Sequence, residues 1–414
     1  MKMLKENDKE VFEIIEDEKQ RQLYELNMIP SENSCSRECL EALGSVLNNK
    51  YAEGYPRKRY YQGNNFIDNM EELAISRAKK LFNAEHANVQ PHSGSTANME
   101  VYFGLLEPGD TILAMDLNHG GHLTHGSSVN FSGKLYNFVH FGVDENGFIN
   151  MEKVRELAHE HKPKMIVSGF TAYPREVNFK KFHEIAQEVG AYSMADISHI
   201  AGLIAGGVHQ SPFPFTDVVT TTTHKTLGGP RSAVILCKEK YAKAIDKAVF
   251  PGLQGGPHEH VIAAKAVCFR EAMQPKFKEY TQKTVENAKA LAKVLIDNGV
   301  KLVSDGTDNH LLLIDLIETP FVGEKGMGKK HAIALEEAGI ITNANTIPFD
   351  PSTPFKPSGI RLGTPCLTSK GFTEEEIKRV GHWIVQVLKN PDDDNLKTEI
   401  KKEIRELCTE FEEK

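Results

Sequence analysis

Val218-Val219-Thr220-Thr221-Thr222-Thr223-His224-Lys225 is the stretch on which the fold turns. Its β-branched run predicts an extended strand, because branched side chains pack well on a pleated surface. Gly228-Gly229-Pro230 then breaks the element. A lysine at the end of such a strand, over apolar surroundings, loses solvation. Its ammonium form is disfavoured, and the neutral amine that attacks carbonyl groups becomes accessible. A lysine following a strand is most often a plain surface residue, so the surrounding sequence has to decide between the two readings.

Around it, from about residue 66 to 270, short apolar strands alternate with helix-length segments. The predicted strands are Thr111 to Met115, Met165 to Ser168, Ala191 to Ala195, Val218 to Thr223 and Ala233 to Leu236. This rhythm indicates βαβ units and a mostly parallel sheet buried on both faces, with ligands beyond the carboxyl ends of the strands. A long helix from Val285 to Asn298 leads into an α+β region with a strand at Leu311 to Leu316 and helices at His331 to Ala338 and Glu374 to Lys389. The chain is thus expected to be α/β in three parts. Residues 1–45 form a helical arm in which Val11, Ile14 and Ile15 pack by one face. Residues 46–280 form a large α/β domain, and residues 281–414 a smaller α+β domain.

The totals agree. A chain of 414 residues exceeds a usual single core. With 40% apolar and 26% charged residues it reads as an ordinary globular protein. A net charge of -8 offers no electrostatic footprint for nucleic acid or anionic membrane. The six cysteines lack zinc or redox spacing, the N-terminus is too charged for a signal peptide, and no apolar run approaches a membrane span. A reducing cytoplasm is the expected location.

Several residues have chemistry to offer. His92-Ser93-Gly94-Ser95-Thr96-Ala97-Asn98 precedes a helical run, and small hydroxyl and glycine residues at a helix start make either a plain N-cap or a phosphate cradle. Asp196 ends one predicted strand as Lys225 ends another. A carboxylate there can keep a heterocycle nitrogen protonated while the lysine forms an imine on the same ring, which is what pyridoxal 5'-phosphate (PLP) requires. His199, three residues on, is placed to support the ring or the lysine. The loop Lys50 to Gly63 carries four tyrosines, Glu53 and four cations, the composition of a binding surface. Arg361, amid Ser358-Gly359-Ile360 and Leu362-Gly363, is suited to grip a carboxylate with two parallel hydrogen bonds or to brace a loop. Two motifs are set aside. His119, His122 and His125 invite a metal reading, but no carboxylate or cysteine completes the set in sequence. Gly323 to Lys330 nearly matches a nucleotide-binding glycine loop, but has Lys330 where Mg²⁺ binding wants Ser or Thr.

Together these pieces resemble serine hydroxymethyltransferase, a family of fold-type I PLP-dependent transferases. The resemblance is nearly full-length. It is carried by Val218 to Leu227 with Gly229-Pro230-Arg231, Asn49 to Pro56, Ala87 to Gly94, His119 to Gly126, Asn130 to Gly133 and Gly359-Ile360-Arg361. It implies a covalent aldimine between PLP and Lys225, Asp196 on the pyridine nitrogen, His122 stacked on the ring, and Ser93, Gly94 and Ser95 around the phosphate. Thr171 stands where the family usually has a serine near the ring oxygen, and Thr222, His199 and His224 fall in the same pocket. Ser31, His199 and Arg361 would bind the amino acid carboxylate. Glu53, as the group that manages proton transfers, together with Tyr51, Tyr60, Tyr61, Gly255 and Gly256, matches residues that family dimers lend to the neighbouring site, so a homodimer is implied. Leu117, Gly121 and Asn345 correspond to folate contacts, and Phe355 joins the substrate side. The implied reaction converts L-serine and tetrahydrofolate reversibly to glycine and 5,10-methylenetetrahydrofolate. A folate-independent β-hydroxy amino acid (threonine or allo-threonine) aldolase shares the chemistry and is the alternative. A retired scaffold or RNA-binding regulator is opposed by the intact Lys225–Asp196 pair and the acidic charge. The chain departs from the family pattern at Pro30, Gln62, Asn64, Asn65, Thr96 and Ser232-Ala233; the loop at 62–65 borders the substrate entrance.

Overall fold

The β-branched and apolar runs become the central strands of the chain, whose computed structural model describes residues 2–411. Seven strands form the large sheet: β1 (His86–Asn88), β2 (Thr111–Met115), β3 (Asn137–Phe141), β4 (Met165–Gly169), β5 (Tyr192–Asp196), β6 (Val218–Thr222) and β7 (Ala233–Cys237). Their spatial order is β1-β7-β6-β5-β4-β2-β3. From β3 to β6 all neighbours are parallel, as the βαβ rhythm predicts. At the other edge β7 runs antiparallel to β6, and β1 antiparallel to β7. Strand β6 is buried along its whole length, as is β7. Helices cover both faces, including 94–105 after β1 and 179–189 before β5.

Strands β1 and β3 lie outside the expected set. Asn137-Phe138-Val139-His140-Phe141 forms an edge strand that is largely exposed or half-buried, so its apolar signal is diluted by polar positions. His86-Ala87-Asn88 is too short to show any period.

A second, antiparallel sheet contains β8 (Lys301–Leu302), β9 (Leu311–Asp315), β10 (Asn343–Asn345) and β11 (Gly359–Gly363), in the order β8-β9-β11-β10. Its core gathers Leu312, Ile314, Ile360 and Leu362 with helices 374–389 and 394–409. The long helix spans Pro275–Asp297 and reaches from the first core, through Val285, to the second, from Ala288 onward. Near the N-terminus, helices 2–7 and 9–24 bury no residue, and Val11, Ile14 and Ile15, expected to pack by one face, remain exposed. The chain then enters the second core: Leu26–Asn27 pairs in parallel with Ile340–Ile341, and Leu26 and Met28 are fully buried there.

The glycine-rich loop at 323–330 is no phosphate cradle. The Gly326 N–H donates to Ser358 Oγ at 2.9 Å and the Gly328 N–H to the Pro357 carbonyl at 2.8 Å, while Lys330 pairs with Asp392. Among the described residues no helix is long and apolar enough to cross a membrane.

Candidate active site

Parallel strands deliver their last residues to one edge of the sheet, and this geometry builds the site. Asp196 is the final residue of β5 and lies in register with Thr220 on the adjacent β6, three residues beyond which stands Lys225. Both side chains line a cavity of about 620 Å³ between the two sheets. Ser31 comes to it from the N-terminal segment, and Asn345 and Arg361 come from the second sheet. Ser93, Gly94, Ser95, Leu117, Gly121, His122, Thr171, His199, Thr222 and His224 line it as well.

Asp196 is held by four donors. Its Oδ1 accepts from the Ser198 N–H at 3.1 Å and Ser198 Oγ at 2.6 Å. Its Oδ2 accepts from Asn98 Nδ2 at 2.9 Å and His125 Nε2 at 3.3 Å. Burial alone would raise its pKa, but the His125 hydrogen bond and the nearby imidazoles outweigh burial and hold the carboxyl far below its usual range. Asn98 is oriented by Thr220, whose hydroxyl donates to Asn98 Oδ1 at 2.7 Å. The threonine run thus aims the carboxylate as well as carrying the lysine.

Burial pushes the Lys225 amine down to about 8, against the opposing pull of Asp196. Burial also pushes His122 down to about 4 and His224 to about 3, and His199 falls well below its ordinary value. These rings meet a ligand uncharged near neutral pH. His199 Nδ1 lies 3.3 Å from Nε2 of His310, a fully buried ring just before β9. Arg361, lowered to about 10 by burial, donates from Nη1 to the Thr171 carbonyl at 2.7 Å and from Nε to Asn343 Oδ1 at 3.1 Å. That braces the arginine across the two sheets and leaves Nη2 for a ligand. The Thr171 hydroxyl donates to the Gly121 carbonyl at 2.8 Å, so toward the cavity it offers lone pairs.

The helix 94–105 begins at the cavity wall, with Ser93 as N-cap accepting from the Thr96 N–H at 3.3 Å. Its free N–H groups favour an anion. A Cβ at Gly94 would lie 2.7 Å from Thr222 Cγ2, so only glycine lets this backbone approach β6 so closely. A desolvated lysine amine, an ionised carboxylate and an anion cradle around one cavity fit the aldehyde, ring nitrogen and phosphate of PLP.

Residues 4–384 match the family model described as "Serine hydroxymethyltransferase". The chain belongs to that family. It is therefore an enzyme of the fold-type I, PLP-dependent glycine hydroxymethyltransferase kind, in a family that also uses tetrahydrofolate.

Seven residues singled out from the sequence do not line this cavity. Tyr51, Glu53, Tyr60, Tyr61, Gly255 and Gly256 gather elsewhere on the same chain. Tyr51 and Tyr61 meet edge-on at 5.1 Å, a Cβ at Gly255 would stand 3.3 Å from Glu53 Oε1, and one at Gly256 would stand 3.4 Å from the Tyr51 ring. Phe355 is 90% exposed. The three tyrosines are also exposed, as are Phe66 and Val46 nearby in sequence.

The metal reading of the histidines changes form. Asp196 supplies the carboxylate missing from the local sequence: with His122 and His125 it offers ligand atoms within 4.8 Å of one another. Hydrogen bonding disfavours an ion there. Main-chain N–H groups donate to both rings at Nδ1, from Thr124 to His122 and from His122 to His125, each at 3.2 Å. The ring protons therefore sit on Nε2, and the His125 nitrogen facing Asp196 has no lone pair to give. His119 turns away, its Nδ1 accepting from the Val143 N–H at 3.1 Å.

Ser198 and His310 are site residues that sequence reading misses. Asn98 and His125 stand in motifs singled out from the sequence, but only the fold shows that both donate to Asp196.

Proposed function

We propose that this enzyme interconverts L-serine and glycine, exchanging the one-carbon unit with tetrahydrofolate to form 5,10-methylenetetrahydrofolate, with PLP anchored on Lys225. The convergence of the Lys225 amine, the Asp196 carboxylate and the Arg361 guanidinium on one cavity carries the reading. When bound, PLP supplies an electron sink for charge developing at the amino acid α-carbon.

The chain's own groups do the rest. Lys225, with its lowered pKa, provides a neutral amine near physiological pH. Asp196 stays ionised and would accept a hydrogen bond from the protonated ring nitrogen of PLP. His122, uncharged, would lie against a face of the PLP ring without repelling it. The Gly94 and Ser95 N–H groups, with the Ser93 and Ser95 hydroxyls, would hold the PLP phosphate. Arg361 holds the substrate carboxylate with Ser31 and His199, and Leu117, Gly121 and Asn345 face the folate, with Phe355 at the rim. His224 and Thr222 complete the wall around the lysine.

Glu53 is assigned the proton transfers. Because Glu53, Tyr51, Tyr60, Tyr61, Gly255 and Gly256 sit off the cavity of their own chain, they serve a second copy, which supports a homodimer with shared sites. In this reading residues 46–280 bind PLP and residues 281–414 close over the substrate. The six cysteines, without zinc or redox spacing in the sequence, suit a reducing cytoplasm.

The deciding assay measures serine cleavage with and without tetrahydrofolate. Strong folate dependence is expected. Cleavage indifferent to folate, with threonine or allo-threonine cleaved as well, overturns the reading in favour of the aldolase.

A further inference from the structure

Asn33 stands beside the cavity segment Ser31-Glu32 but is not itself part of the wall. All four hydrogen-bonding capacities of its amide are used. Nδ2 donates to the Lys225 carbonyl at 3.0 Å and to the Tyr280 hydroxyl at 2.8 Å. Oδ1 accepts from the Ser34 N–H at 2.9 Å and from Ser369 Oγ at 2.6 Å. The main-chain partners fix the orientation of the amide: a carbonyl can only accept and an N–H can only donate.

Lys225 lies outside any helix or strand. Its carbonyl takes one bond from within its own turn, the Gly228 N–H at 2.9 Å, and a second from Asn33. The side chain is a flexible stem with several rotatable bonds. The aim of its amine is therefore set from the backbone end. Asn33 links that backbone to Tyr280 on the long helix and to Ser369 at the end of helix 365–369.

We infer that Asn33 is a positioning residue for Lys225. By holding the lysine's main chain against the cavity-lining segment and helix 365–369, it keeps the amine on the line along which a carbonyl carbon is attacked. The inference rests on Lys225 being the residue that anchors PLP. A displacement of about 1 Å at a reacting group costs roughly 100-fold in rate, and losing one of two anchors permits a smaller shift, so a loss of tenfold or more is expected.

The test uses PLP-free full-length protein, a brief exposure to PLP, borohydride reduction, and mass spectrometry of the Lys225 peptide. Asn33→Asp keeps the shape and the Ser34 and Ser369 contacts but cannot donate to the Lys225 carbonyl; Asn33→Ala serves if the aspartate variant does not fold. Tyr280→Phe removes the other Nδ2 partner and leaves the lysine contact. Trapping at Lys225 should slow at least tenfold in the folded Asn33 variant and stay within twofold of wild type in Tyr280→Phe. Equal trapping in wild type and the Asn33 variant overturns the inference, as does an equal slowing in Tyr280→Phe. No trapping at Lys225 in the wild type overturns the assignment of the PLP lysine instead.

Discussion

The lowered pKa of Lys225 gives a prediction that separates burial from charge. With a midpoint of about 8 in place of 10.5, roughly a quarter of the amine is neutral at pH 7.5, against about a thousandth for an ordinary lysine. The difference is on the order of 200-fold in reactive species. Burial is the main cause; Asp196 opposes it, while Arg361 and Arg231 add to it. Asp196→Asn removes the carboxylate that favours the ammonium, so the Lys225 midpoint should move below 8. Arg361→Ala removes a repelling cation and should move it above 8. The assay is competitive acylation of PLP-free protein across pH 6 to 11, with the modified fraction of the Lys225 peptide followed by mass spectrometry. A wild-type midpoint near that of the surface lysines would show that burial does not depress this amine, and an upward shift in Asp196→Asn would show that the carboxylate does not favour the ammonium.

Other consequences are equally open to measurement. Arg361→Ala should raise the serine KM at least tenfold with a smaller change in kcat, since a charge-assisted pair is worth about 1.5–3 kcal/mol; steady-state kinetics checks this. Lys265 is fully buried and donates to the carbonyls of Val89, Pro91 and Ala233 at 2.6, 3.2 and 2.8 Å, directly before the cradle. Lys265→Met should cost about 3–5 kcal/mol in urea unfolding, because it strands these carbonyls and the neighbouring Glu100. Mixing inactive Lys225→Ala with inactive Glu53→Gln chains, with subunit exchange, should restore roughly a quarter of wild-type activity if sites are shared across a twofold axis. No recovery in verified mixed dimers would place Glu53 in its own chain's site.

The sequence made the middle of the large sheet legible because its strands are nearly continuous apolar or β-branched runs, buried on both faces. The edge strands escaped for different reasons: β1 has three residues and shows no period, and the residues of β3 divide between solvent and core. Lys225 and Asp196 could be paired in advance, since parallel strands bring their carboxyl ends together regardless of loop length. The groups that hold them could not. His125 reaches Asp196 across 71 residues and Asn33 reaches Lys225 across 192. The first contact is set by packing within the large α/β domain and the second by how the N-terminal segment docks against it, and nothing local in the chain encodes either. The same holds for Asp196 joining His122 and His125, which the local spacing of the histidines could not reveal.

An absorbance titration decides whether Lys225 anchors PLP in the cavity it shares with Asp196. Purified wild-type protein and Lys225→Ala are each titrated with PLP and then passed through gel filtration. A saturable visible band, distinct from that of free PLP, is expected at about one equivalent per retained chain in the wild type and is expected to be absent from the variant. A wild-type protein without the band, or a variant that retains it unchanged, would show that Lys225 is not the anchor.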